Sequence, residues 1–429
     1  MVIAFSLLAM LVALVLIWRG WDVRIVLFAA ALVVGALAGE LDTVFRATVE
    51  TLGEKKFLLP ICSAMGFAYA VRDAGCLEAL VRVLVKPISQ VPRLVVPGCA
   101  AAAVLVNCAI PSQTSTLAAI GALMLAFMAR LGTPRALAGS TLIFGASIAG
   151  ALFNPGLAEI TKVAEVTKQP APVIAVSFAP GIIIAYAIGI SVLLVMRRVL
   201  REDTPLVAPT DDATAAPPPA YKALFPPLPI VWLLLAHPLL PWHSYLAPVL
   251  MKDLEVVTAM LAGTLLTIAL ASPDRRRTTR AFFDGMGYAF AHVITIIAVS
   301  TGIAKALELA GVLGAFVELA GGSPVATLMA VFALAFVLAM ISGSGTASSV
   351  ALLGAVGAHV AELGVDRMAL GGVILFAAEA GRTTSPVSAV LLFGSALVDV
   401  PPRTLMVRLV LPCLLAAIGG AVFIALRFQ

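Results

Sequence analysis

The chain has 429 residues, of which 61% are hydrophobic and 12% charged, with a mean hydropathy of +1.08 and a formal net charge of +5. Soluble domains are about 45–50% apolar and about 25% charged, so this little charge cannot coat a water-soluble globule. A soluble enzyme, a nucleic-acid binder and a disordered chain are excluded, which leaves an all-α polytopic membrane protein whose first partner is the lipid bilayer.

A membrane-crossing helix needs about 20 mostly apolar residues. Such runs predict full crossings near 3–18, 24–39, 57–72, 173–196, 224–245, 254–271, 288–308 and 405–427. The first reads as a retained helix, because no basic residue precedes it and Trp18-Arg19-Gly20-Trp21 is a poor cleavage site. Residues 43–56 and 276–287 mix charge with apolar side chains and read as interfacial helices. Two further pairs of apolar stretches are joined by polar strings. The first string runs from Asn107 to Thr116 and holds Pro111, Ser112, Gln113, Thr114 and Ser115. The second is Ser342-Gly343-Ser344-Gly345-Thr346-Ala347-Ser348-Ser349. They predict re-entrant hairpins over 93–131 and 323–362. Each hairpin is followed by a helix with a break inside it. Residues 135–166 are interrupted at Gly150 to Gly156, around Asn154-Pro155, and residues 367–398 at Gly381-Arg382-Thr383-Thr384-Ser385-Pro386. Segment 204–219 is the one clear flexible loop.

The two halves resemble each other. Leu131-Gly132 and Arg135 match Leu363-Gly364 and Arg367 at an offset of 232, which also maps Ser112 to Ser344, Thr114 to Thr346, Thr116 to Ser348, Phe144 to Phe376 and Pro180 to Pro412. A one-residue gap then maps Pro155 to Pro386. Upstream, Gly66, Ala68 and Ala74-Gly75 match Gly302, Ala304 and Ala310-Gly311 at an offset of 236. Charge sets the orientation of the copies, since Lys and Arg favour the cytoplasmic side. Arg72, Arg82 and Arg130 stand where the second copy has Glu308, Glu318 and Glu362, so the copies are expected to be inverted. The Arg197-Arg198 end and the Arg275-Arg276-Arg277 cluster are expected to be cytoplasmic. The resulting plan has N-terminal scaffold helices over 1–42, a first inverted repeat over 43–199 and a cytoplasmic linker over 200–223. An intervening helical pair follows over 224–274, then a second repeat over 275–429. It predicts about ten full crossings plus two hairpins, with both termini outside. Inverted copies with broken helices are characteristic of secondary transporters.

Irregular backbone at membrane depth is tolerated where protein buries it or it lines a wet cavity. Helix N-termini there can hold a carboxylate, and freed carbonyls and hydroxyls can hold Na⁺. The expected substrate site is therefore Asn107, Ser112, Thr114, Ser115, Thr116, Asn154, Ser342, Ser344, Thr346, Ser348, Arg382, Thr383, Thr384 and Ser385. Each hydroxyl has a plainer alternative, a bond back to its own helix. Arg382 can grip a carboxylate bidentately or pair with Glu379, three residues earlier on the same face. Glu379, Ser112, Asn154 and Ser344 are the coupling-ion candidates, Glu379 as a protonation site, with His292 a weaker one. The five cysteines contain no CxxC and the four histidines no HExxH; neither a disulfide framework nor a zinc site is expected, nor any cofactor beyond a coupling ion. No catalytic spacing points to a membrane enzyme.

Three strings carry a family resemblance: Phe283-Asp-Gly-Met-Gly-Tyr-Ala-Phe-Ala-His292, Ser342-Gly-Ser-Gly-Thr-Ala347 and Gly381-Arg-Thr-Thr-Ser-Pro-Val387. With Pro218-Ala-Tyr-Lys-Ala-Leu-Phe-Pro226, they resemble the anaerobic C4-dicarboxylate carrier family (DcuC type) of bacteria, within the larger ion-transporter superfamily. The resemblance implies a homodimer in the bacterial inner membrane, with a scaffold and a transport domain moving as an elevator. It implies C4-dicarboxylates such as succinate or fumarate as substrates, coupled to H⁺ or Na⁺. Three features depart from the pattern. The second tip reads Ser-Gly-Thr for Ser-Gly-Asn, the first break reads Phe-Asn-Pro-Gly-Leu, and Glu379 replaces a neutral amide. The extra acid leaves a monocarboxylate or an amine-bearing acid as alternative substrates, and a cation/proton antiporter as the alternative function.

Overall fold

The computed structural model describes residues 2–19, 21–88, 94–110, 112–148, 150–200, 218–235, 255–312, 323–357 and 359–428, with Val91, Leu206 and Ala315. Most of the linker, the second half of the 224–245 crossing, Pro111, His237, His243 and Glu318 lie outside the described residues. Among the described residues every regular element is helical.

The first elements are α1 (Val2–Trp18), α2 (Val23–Leu37) and α3 (Leu41–Leu52). Asp22 starts α2 by accepting from Arg24 N at 2.9 Å, which satisfies one of the amides a helix start leaves free. Next come α4 (Lys55–Asp73) and α5 (Cys76–Ile88). The latter is an amphipathic helix that no apolar run of crossing length announces. The first hairpin is α6 (Val95–Ala109) and α7 (Gln113–Arg130), and the broken helix is α8 (Arg135–Ser147) and α9 (Ala158–Thr167) around a short turn at Gly150–Phe153. α10 (Ala171–Val199) closes the first half, and α11 (Leu228–Leu235) and α12 (Glu255–Leu270) follow.

In the second half α13 (Arg275–Ala289) runs through a π-helical turn at Phe290–Ile294 into α14 (Thr295–Leu309). The interfacial helix expected over 276–287 is thus one rod with the crossing after it. Its 35 residues contain no proline, so nothing in the chain interrupts it. The second hairpin is α15 (Pro324–Ser342) and α16 (Gly345–Gly357), with a one-turn α17 (Val360–Leu363). The second broken helix is α18 (Arg367–Thr383) and α19 (Ala389–Val398), and α20 (Pro402–Arg427) ends the chain. Its break lies later than the sequence suggests, because Gly381 and Arg382 still belong to the last helical turn. Thr383 and Thr384 donate back to Glu379 O at 2.7 Å and Ala380 O at 3.0 Å, which holds that turn. Pro386 then lacks the amide needed to go on.

Five described helical stretches are long and apolar enough to cross a membrane: 135–167, 171–199, 275–309, 324–342 and 402–427. Shorter apolar helices include α1, α2, α6, α12, α16 and α19. In the apolar 18-residue window of 135–167, 94% is buried within the protein, against 28% for that of 324–342. The first broken helix is therefore enclosed by protein, as irregular backbone at membrane depth must be, while α15 presents most of its surface outward.

The two broken helices lie crosswise at the centre. α8 packs on α19 and α18 packs on α9, and α10 and α20 pack along each other outside them. Arg135, at the start of α8, reaches Asp399 at the end of α19 at 3.2 Å. Arg367, at the start of α18, donates to Val166 O near the end of α9 at 3.2 Å. A separate layer of α1, α2, α3 and α14 has its own apolar core, which includes Ala31, Val34, Val44 and Ile303.

Candidate functional site

Both hairpin tips are built by the same local device. Ser112 accepts from Ser115 N at 3.3 Å at the start of α7, and Ser344 accepts from Ala347 N at 3.1 Å at the start of α16. In each the hydroxyl takes the place of the missing helical carbonyl. Gly343 makes the second turn with φ +67, a left-handed conformation costly for any residue with a Cβ. A Cβ at Gly345 would lie 3.2 Å from Arg382 Cζ and Nε. The bare backbone at the start of α16 therefore lets the guanidinium lie against it.

Arg382 leaves the last turn of α18 between the two tips. Its Nη2 donates to Glu379 Oε2, which also accepts from Gln113 Nε2 of the first tip at 2.8 Å. Glu379 is 2% exposed, so its charge has no water to solvate it and depends on these two donors. The Arg382 Nε–H is buried and has no partner. Across the tips, Thr346 Oγ1 donates to Glu159 Oε1 in the first turn of α9. Glu159 is likewise 2% exposed, and its Oε2 has no partner.

Gln113, Thr346 and Arg382 border a cleft of about 390 Å³, whose lining does not include Glu159 or Glu379. One wall is Ser112, Gln113, Thr114, Gly343, Ser344, Thr346, Arg382 and Ser388; the other is Asp22 and Arg24 with Met65, Tyr288, His292, Val293 and Ile296. In the π turn of the second wall the Ala291 carbonyl accepts from both Arg24 Nη1 and Thr295 Oγ1, each at 2.7 Å. His292 lies against Tyr288, their ring centroids 4.4 Å apart and their planes tilted by 44°. Arg24 and Asp22 pair, and this bond to Arg24 holds the Asp22 carboxyl down at about 2.

Of the residues expected from sequence, the cleft brings together Ser112, Thr114, Ser344, Thr346 and Arg382. The others hold the backbone that shapes it. Asn107 Nδ2 donates to Ile110 O and Thr116 Oγ1, both at 3.2 Å, and Thr116 donates to Ser112 O at 3.0 Å. Ser115 accepts from Ser112 at 3.0 Å. Asn154 Nδ2 donates to Cys108 O at 2.8 Å and its Oδ1 accepts from Gly156 N at 2.9 Å; its amide clamps the first break to the first hairpin. Ser342 bonds Ser348 at 3.1 Å, on the far side of the second tip. Thr383 and Thr384 return to their own helix, and Ser385 accepts from Val387 N at 3.3 Å. Among the described residues no three His, Cys, Asp or Glu side chains gather as metal ligands would.

The sequence reading passes over Glu159, Gln113, Ser388 and the Asp22–Arg24 pair. Glu159 carries a usable signal, an acid inside an otherwise apolar stretch. Gln113 lies within the quoted first string. Asp22 and Arg24 lie in an ordinary short connection, and nothing local sets them apart.

Residues 48–429 match the family described as C4-dicarboxylate anaerobic carriers. A Vibrio cholerae protein named probable anaerobic C4-dicarboxylate transporter DcuC is 23% identical over 404 residues, covering 89% of this chain and 86% of its own. The anaerobic C4-dicarboxylate transporter DcuC of Escherichia coli K12 is 22% identical over 367 residues, 82% of this chain and 77% of its own. A Haemophilus influenzae protein named only as an uncharacterised transporter is 26% identical over 286 residues, 63% of this chain and 99% of its own. A family match over nearly the whole chain, on an all-helical apolar scaffold, makes this a membrane protein that belongs to the family of C4-dicarboxylate anaerobic carriers.

Proposed function

We propose that this chain is a secondary transporter of C4-dicarboxylates such as succinate or fumarate, working in the bacterial inner membrane. One observation carries the reading. Two hairpin tips, both opened by hydroxyl-capped helix starts, converge on one partly buried guanidinium beside a cleft. Helix starts and an arginine together favour a carboxylate. In this reading Arg382 takes one carboxylate, and Ser112, Thr114, Ser344 and Thr346 bind its oxygens or the second carboxylate. Asn107, Thr116, Asn154, Ser342 and Ser348 hold the loops in place.

We read the two halves as inverted repeats. The supporting observations are the shared order of helices, the crossed packing of α8 on α19 and α18 on α9, and the Arg135 and Arg367 contacts. The two non-glycine residues with positive φ among those described, Lys168 and Asp399, are related by the offset that relates Pro155 to Pro386. We take the hairpins and broken helices as the moving body. Residues 1–42, the long rod of α13 and α14, and the 224–274 pair form the scaffold of a homodimer. In favour of sliding, an apolar cleft of about 470 Å³ separates Leu7, Leu27 and Ile303 on the scaffold from Leu338, Ala351 and Leu352 on the hairpin. Such a seam has few polar bonds to break during a shift.

Uptake of labelled succinate into proteoliposomes tests the function. The expected result is saturable uptake driven by an imposed ion gradient and competed by fumarate. Cation/proton exchange with no succinate flux would overturn it.

A further inference from the structure

We propose that Glu159 and Glu379 together hold one exchangeable proton, and that this proton frees Arg382 to take the substrate carboxylate. Glu379 occupies the guanidinium as a substrate carboxylate would. Glu159 and Glu379 are each 2% exposed, and Arg382 is their shared counter-charge. Two carboxylates and one guanidinium leave the cluster one negative charge in excess. A bound carboxylate would add another in a place that water cannot screen. One proton taken up with the anion cancels the charge that the anion brings and returns the cluster to its resting charge. Glu379 then no longer competes for the guanidinium, and the proton and the anion enter together. A hydronium ion or a buffer acid gives the proton to a carboxylate oxygen, its own bond to that proton breaking as the new O–H forms, and no other bond changes. Glu159 Oε2 and Arg382 Nε–H, buried without partners, are the polar atoms this exchange leaves for use.

The other charges around the pair are already matched. Along α9, Lys162 binds Glu165 at 2.7 Å, and Lys56 of α4 binds the same carboxylate at 2.8 Å. α15 and α16, which pack on α18, carry no titratable side chain among their described residues. α8 brings Arg135, paired with Asp399. α10 brings Tyr186, which donates to Pro97 O, and α20 brings Cys413 and Arg408. His292, Tyr288 and the Asp22–Arg24 pair stand on the opposite wall. None of these described groups supplies a second free cation to the carboxylates.

The inference rests on reading the cleft as a carboxylate site, and the test separates the two. Succinate binding to the purified full-length protein is measured by calorimetry above about pH 7, where a carboxylic acid in water is fully ionised. Two buffers of different ionisation heat give the protons taken up per succinate. The expected result is uptake of one proton and an affinity that weakens about tenfold per pH unit once the pair has lost its proton. Glu379→Gln removes the competing carboxylate and leaves one carboxylate, Glu159, against one guanidinium, so in that variant affinity no longer depends on pH. Succinate binding with no proton uptake and a flat pH profile in the unmodified protein would overturn the inference alone, as would an affinity that follows Na⁺ and ignores pH. Failure to bind any carboxylate at any pH would overturn the proposed function with it. The unmodified protein supplies the deciding measurement, so a variant that fails to fold leaves the test intact.

Discussion

Replacing Arg382 by alanine has two separable consequences. In the pair with Glu379 the arginine side chain is 15% exposed and the glutamate 3%. Arg382→Ala leaves the buried Glu379 carboxyl with only the Gln113 amide for support. Removing one partner of a buried ion pair costs about 3–5 kcal/mol, so the protein is expected to lose that much stability. Substrate binding should weaken as well. A hydrogen bond to a charged group contributes about 1.5–3 kcal/mol, roughly ten- to hundredfold in affinity. The double variant Arg382→Ala with Glu379→Gln removes the orphaned charge. It should regain most of the stability and none of the binding. Thermal unfolding in detergent reports the first quantity and succinate calorimetry the second. Unchanged stability in the single variant would refute the paired-charge account, and succinate affinity regained in the double variant would refute the role of the guanidinium.

Four further outcomes follow from the geometry. Gly345→Val places a branched side chain where even a Cβ would sit 3.2 Å from the guanidinium; succinate affinity should fall at least tenfold while the helical circular dichroism is retained. Asn154→Leu removes the bonds to Cys108 O and Gly156 N and should cost about 1–3 kcal/mol, seen as a lower unfolding temperature in detergent. Ser112→Ala and Ser344→Ala remove equivalent caps, so each should cost about 1 kcal/mol in chemical unfolding; very unequal losses would argue against equivalent tips. Asp22 is held down to about 2 from an ordinary 3.8, so its contribution to stability is complete above about pH 4 and is lost as pH falls through about 2. With 39% of that side chain exposed, the contribution is at most about 1 kcal/mol. Asp22→Asn should remove this acid sensitivity in unfolding measured between pH 6 and pH 2.

The sequence by itself determined the class of protein, most helices and the irregular places. These depend on local chemistry: the length of an apolar run, a proline that cannot donate, a serine that caps a helix start. Arg382 and its neighbour Glu379 were legible for the same reason, since both are fixed on one helix three residues apart. The amphipathic α5 was not, because an apolar stripe shorter than a crossing gives no membrane signal. The second break was misplaced by three residues, because glycine and threonine near a proline do not say which bond ends the helix.

Only the tertiary structure decided which polar residues share the cleft. Thr114 and Thr116 are the same residue type in the same turn, yet Thr114 lines the cleft and Thr116 is wholly buried against Asn107. Two residues along a helix turn a side chain by about 200°, and the packing of α6 chooses the face. Glu159 meets Thr346, and Gln113 meets Glu379, across different halves of the chain. Such pairs share no spacing or period in sequence; they exist because the crossed helices bury four separate segments around one guanidinium, where each unpaired charge must find its partner.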